Sequence, residues 1–178
     1  MKTNIIKNMT LALTLLFVSS LGFSQSTTMQ KPLAGVDDTK QYNTIDLIYM
    51  DKDFSIFANL LTLSGLDTSL SMTDRAHTLF IPTNEAFKNM TIENFAKLTN
   101  PKNRAMLVKF VNRHFTGSKI DSRELTEFKV FNLDNNNRIN VSNVGNSIVV
   151  GGSTVIAADI ETANGVVHVV DNVINIAK

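Results

Sequence analysis

Thr78-Leu79-Phe80-Ile81-Pro82-Thr83-Asn84-Glu85-Ala86-Phe87 reads as a short strand that stops at a proline and turns at once into a helix. Leu79, Phe80 and Ile81 form an apolar run, and Pro82, with no N–H and a fixed φ, ends it. Thr83 or Asn84 can cap the next short helix, through Phe87, because either side-chain oxygen accepts from a free backbone N–H. A second stretch, Ala163-Asn164-Gly165-Val166-Val167-His168-Val169-Val170-Asp171-Asn172-Val173-Ile174, lies near the other end of the chain. Asn164-Gly165 reads as a tight turn using positive φ angles, which sets the register of the last strand. Val166–Val170 is apolar on both faces, the pattern of a central strand covered on both sides.

The sequence between these stretches divides into helices followed by strands. Phe57, Leu60, Leu61 and Ser64 share one helical face, and Gly65 fits the left-handed position that ends a helix. Asn100-Pro101 is a helix start, with a capping residue followed by proline where its missing donor costs nothing. From there Leu107, Phe110, Val111 and His114 make one stripe at spacings of three, four and seven. Asp121-Ser122-Arg123-Glu124 resembles a capping box. Beyond Lys129 the segments 129–133, 138–144, 147–150, 154–160 and 166–176 alternate or are β-branched. Asp134-Asn135-Asn136-Asn137, Gly145-Asn146, Gly151-Gly152 and Asn164-Gly165 separate them as turns. Helices first and a meander of strands last predict an α+β fold, in one domain, since no internal repeat is present.

Taken together, the first stretch, the second, and the helix from Asn100-Pro101 through Leu107 to His114 resemble the fasciclin domain family over about residues 43–176. The resemblance implies a wedge-shaped β-sandwich with a set of packed helices. It makes Pro82, Thr83, Asn84, Phe87, His114, Asn164, Gly165, His168 and Asp171 structural signature residues. It also implies an extracellular protein associated with cell adhesion and matrix contacts; some members of the family are linked to small apolar ligands. Many adhesive animal members have an aromatic residue, usually Tyr, before the central histidine, whereas Arg113 stands there in this chain. Arg113 is therefore the position at which a partner contact is expected to differ, and no Arg-Gly-Asp triplet substitutes for it.

The chain of 178 residues opens with Lys2 and Lys7, an apolar run from Met9 to Phe23 and small residues Gly22 and Ser24, followed by polar Gln25-Ser26-Thr27-Thr28. That is the layout of a secretory signal peptide over residues 1–24, too short and too soon interrupted for a comfortable membrane span. Residues 25–42 read as a linker or N-terminal arm and 43–178 as the domain. Without residues 1–24 the chain has 15 basic and 16 acidic side chains, net −1. This balance gives no electrostatic footprint for nucleic acid. There is no cysteine, hence no disulfide, thiol nucleophile or thiolate metal site.

The three histidines, His77, His114 and His168, are not spaced as metal ligands. His114 and His168 read as packed, hydrogen-bonded core imidazoles, and His77 as a solvated residue at the start of a strand. Asp159 and Asp171 could each orient a histidine. A Gly-x-Ser-x-Gly elbow and phosphate-cradling glycines are missing, so no catalytic residue, cofactor or metal is expected. Asn89-Met90-Thr91 and Asn140-Val141-Ser142 are formal glycosylation acceptors, a pattern common by chance. The expected function is a secreted, extracellular or periplasmic, non-catalytic module that binds an extracellular, matrix or cell-envelope protein. The alternative is a carrier holding a small apolar ligand, lipid or pigment, in a groove of the domain.

Overall fold

The structure, a computed structural model, describes residues 32–72, 75–132 and 138–174. The segment 1–24 read as a signal peptide and the Asp134–Asn137 turn lie outside the described residues. The helical half comprises α1 (Thr44–Met50), α2 (Ser55–Ser64), α3 (Asp67–Ser71), α4 (Ile92–Thr99) and α5 (Arg104–Asn112), with strand β1 (His77–Pro82) between α3 and α4. After β2 (Phe115–Thr116) and α6 (Ser122–Glu127), strands β3 (Val130–Asn132), β4 (Arg138–Val144), β5 (Ser147–Val150), β6 (Ser153–Glu161) and β7 (Gly165–Val170) follow in a meander. Gly145 and Gly152, at φ 59° and 81°, make the turns of that meander, as glycine's access to positive φ allows.

Among the described residues seven strands join one sheet in the order β2-β1-β7-β6-β5-β4-β3, with β1 and β7 its one parallel pair. Every residue of β1 and of β7 is buried. The reason is that both faces of this central pair are covered. Leu79, Ile81, Val167 and Val169 face the helices and pack with Phe54, Phe57, Leu61, Leu107 and Val111. Phe80 and Val170 point the other way and join Ile120, Leu125, Phe131, Ile139, Val141 and Val150 inside the curl of the sheet. The fold is thus α+β, with two apolar cores separated by β1 and β7.

Two local expectations are corrected. His77 is buried, at 1% exposure, because β1 begins there between β2 and β7 and its ring rests against Phe115 at 5.2 Å. Gly165 does not have a positive φ. It lies instead against the backbone of β1, where an added Cβ would collide with the His77 carbonyl oxygen. Of the two residues expected to cap the 3-10 turn Glu85–Asn89, Thr83 does so, its hydroxyl accepting from the Ala86 N–H at 3.3 Å, and the Asn84 side chain reaches elsewhere.

Residues 32–42 lie along the domain. Leu33 is buried in the helical core, and its N–H donates to Asp51 Oδ2 at 2.8 Å. The Thr39 hydroxyl donates to the Glu161 carbonyl at 2.6 Å, and Lys40 pairs with the Glu161 carboxylate at 2.6 Å.

Candidate functional site

The signature asparagines bind helix ends far away in sequence. Asn84 Oδ1 accepts the Ile56 N–H at 2.9 Å, while Nδ2 donates to the Lys52 carbonyl and the Ser55 hydroxyl. Helix α2 has no side-chain cap of its own at Phe54, so Asn84 supplies the acceptor that its first turn lacks. Asn164 Oδ1 accepts the N–H and the hydroxyl of Thr44, both at 2.9 Å, at the first residue of α1. A third such contact comes from Asp159, which sits at φ 57° in an irregular part of β6 and accepts the Ser122 N–H of α6 at 2.7 Å. Side chains at strand ends and at a bulge thereby fix three helices to the sheet.

Both core histidines are committed to the backbone. His114 follows the end of α5; Nδ1 donates to the Phe110 carbonyl at 2.9 Å and Nε2 accepts the Ile174 N–H at 3.1 Å. Full burial pushes its pKa down to about 4, with the nearby Arg113 charge acting in the same direction and the Phe110 carbonyl opposing. His168 Nε2 donates to the Ile120 carbonyl at 2.9 Å, Nδ1 accepts the Asp159 N–H at 3.3 Å, and the ring stacks on Phe80. Burial lowers its pKa too. His77 Nδ1 lies 3.1 Å from the Arg75 carbonyl, its Nε2 is buried without a partner, and burial lowers its pKa.

The remaining residues of the expected set pack and hydrogen-bond within the domain. Pro82 ends β1 opposite Val170, and the Thr83 N–H donates to the Val170 carbonyl at 3.3 Å. Phe87 packs against Phe95 and Phe110. Asp171 closes the end of β7, accepting the Thr154 N–H at 2.7 Å and donating its own to the Thr154 carbonyl. These residues do not converge on one cavity. Asn84 and Asn164 lie at opposite ends of the β1–β7 pair, because Pro82 pairs with Val170 and His77 with Gly165. Among the described residues no cluster of His, Asp and Glu could hold a metal ion, and no helix is long and apolar enough to cross a membrane.

Arg113 does meet a concave surface. A groove of about 440 Å³ runs between α4 and α5, with Leu98 and Phe110 buried at its base and Met90 and Met106 beside them. Lys97, Lys109 and Arg113 stand around it. Met106, Lys109, Phe110 and Arg113 recur at spacings of three, four and seven, which puts them on one face of α5 and its C-cap. That periodicity is present in the sequence, and it is the signal by which the groove could be found there.

A sequence profile of the fasciclin domain matches residues 52–176. A Plasmodium falciparum protein named heme ligase is 35% identical over 71% of this chain and 73% of its own length. Human periostin is 32% identical over 70% of this chain, which spans only 15% of periostin. Among solved structures, a domain pair from the insect cell adhesion molecule fasciclin I superposes with a TM-score of 0.58 at 17% identity. It covers 75% of this chain, and the chain spans half of that pair.

Proposed function

The chain belongs to the fasciclin domain family, and on that premise we propose that it is an exported, non-catalytic module for cell adhesion or for contact with a matrix or cell-envelope protein. The observation that carries this reading is the family match itself, which spans residues 52–176 and holds most of the two cores of the domain. The basic, apolar and small-residue layout of residues 1–24 supports export and cleavage near Gln25. The non-catalytic reading draws support from His114 and His168, whose ring nitrogens are all engaged by backbone groups and are not available as a general base.

The test is a pull-down from extracellular and envelope fractions with the immobilised chain, beside N-terminal sequencing of the protein recovered from its host. Saturable retention of an envelope or matrix protein, with a mature terminus near Gln25, is the expected result. A cytosolic chain with an intact Met1 would sink it.

A second reading, a carrier for a small apolar ligand, is favoured by the groove between α4 and α5. It draws further support from the name of the Plasmodium relative, which attaches that protein to heme. Absorbance and mass spectrometry of protein from its native host separate the two readings. A co-purifying pigment or lipid favours the carrier.

A further inference from the structure

We propose that the α4–α5 groove is a binding site for a free amphiphile with a carboxylate head and an apolar body. This deepens the carrier reading and rests on it.

The groove has the two halves that such a molecule needs. Its base is apolar and held by the core, since Leu98 and Phe110 are buried, whereas Met106 is 50% exposed on the wall. Methionine is an unbranched, polarisable lining that adapts to an irregular apolar body. The volume of about 440 Å³ falls within the ~300–1,000 Å³ of small-molecule sites. With eight residues in α4, about 12 Å of helix flanks the groove on that side.

The charge around the groove is of one sign. Lys97 is paired with Glu93 at 2.7 Å along α4, so its charge is partly answered. Lys109 and Arg113 have no ion-pair partner among the described residues. They stand one helical turn apart at the C-terminal end of α5, where the helix dipole tolerates both charges while their mutual repulsion is relieved by an anion between them. The Arg113 Nε is buried without a hydrogen-bond partner, although the residue as a whole is only half-buried. A guanidinium presents its N–H groups in a planar fork that matches a carboxylate in two parallel hydrogen bonds. Two unpaired cations one turn apart, above an apolar base, complement one negative head and one apolar tail.

The experiment measures binding of the fluorescent fatty acid cis-parinaric acid and of its methyl ester to the purified chain. The variants are Arg113→Gln with Lys109→Gln, Met106→Asp, and Lys102→Gln as a cation outside the groove, each checked by thermal melting. The wild type should bind the acid at least about tenfold more tightly than the ester, the scale of a charge-assisted contact. The double variant should bring the acid to the level of the ester, Met106→Asp should lose the acid, and Lys102→Gln should match wild type.

Equal binding of acid and ester, unchanged in the double variant, would remove the carboxylate contact and overturn the proposal while the carrier reading stood. If neither probe bound, the proposal would fall, and the carrier reading would stand or fall on the co-purification test. Attachment only to phosphatidylserine vesicles or only to a poly-glutamate peptide, with no affinity for the free acid, would give the groove a different occupant and overturn the proposal.

Discussion

The carbonyl oxygen of His77 occupies the space that a Cβ on Gly165 would need. The two residues are partners in the parallel β1–β7 register, so neither backbone can withdraw without disturbing the central pair. Gly165→Ala should therefore destabilise by about 1–3 kcal/mol through overpacking. Gly117→Ala, with nothing near its added Cβ, should be close to neutral. Urea melts of both variants check this, and equal midpoints would show that the close approach does not matter.

Asn84→Ala removes the acceptor for the Ile56 N–H and the donors to Lys52 and Ser55. A loss of about 1–3 kcal/mol is expected, the sum of a missing helix cap and unsatisfied partners. Asn164→Ala should act on α1 in the same way. Because the two sites lie at opposite ends of β1 and β7, the double variant should be additive within about 0.5 kcal/mol. Strong non-additivity in denaturant melts would mean that the helices are not held independently.

Stability should fall in acid. His114 is held neutral in the fold with a pKa of about 4, below the 6.5 of an exposed histidine, so the unfolded chain takes up its proton first. The contribution is fully present above pH 6.5 and is lost as the pH falls through 4, amounting to about 3 kcal/mol at that lower limit. Burial lowers the pKa of His168 and His77 in the same direction. Unfolding free energies at pH 7, 5 and 4 should decline more steeply for wild type than for His114→Gln, which cannot titrate there. Parallel slopes would remove His114 as a cause.

The family match begins at residue 52, but the helical core reaches back to Leu33. Leu33→Ala should cost about 2 kcal/mol, toward the low end of buried leucine truncations because the site lies at the edge of the core. A chain cut to 52–178 loses α1 as well and should show no cooperative melt. A sharp transition at wild-type temperature would confine the folding unit to the matched residues.

The strands were legible because their signals are local. Alternation and β-branching mark β4 and β5 at their observed bounds, and glycines mark the turns between them. What stayed hidden depends on partners distant in sequence. Asn84 next to Thr83 looks like a local cap, and only the folded chain brings Ile56 to it. His77 at a strand start looks wet until β2 and β7 close around it. Asn164-Gly165 carries the letters of a positive-φ turn, yet its glycine answers to a backbone atom on β1. The groove was written at helical spacing on α5, but its facing wall comes from α4, whose approach no local pattern records.

The parallel pairing of β1 with β7 also has a kinetic consequence. The first long strand of the sheet has to wait for the last one, so both cores stay open until nearly the whole domain has been synthesised. Contacts between such distant segments make folding slow, because a long loop must close before any of them forms. If the chain is exported as proposed above, that delay would keep the polypeptide unfolded while it is threaded through a translocation channel, and addition of the C-terminal strand would lock the domain on the far side.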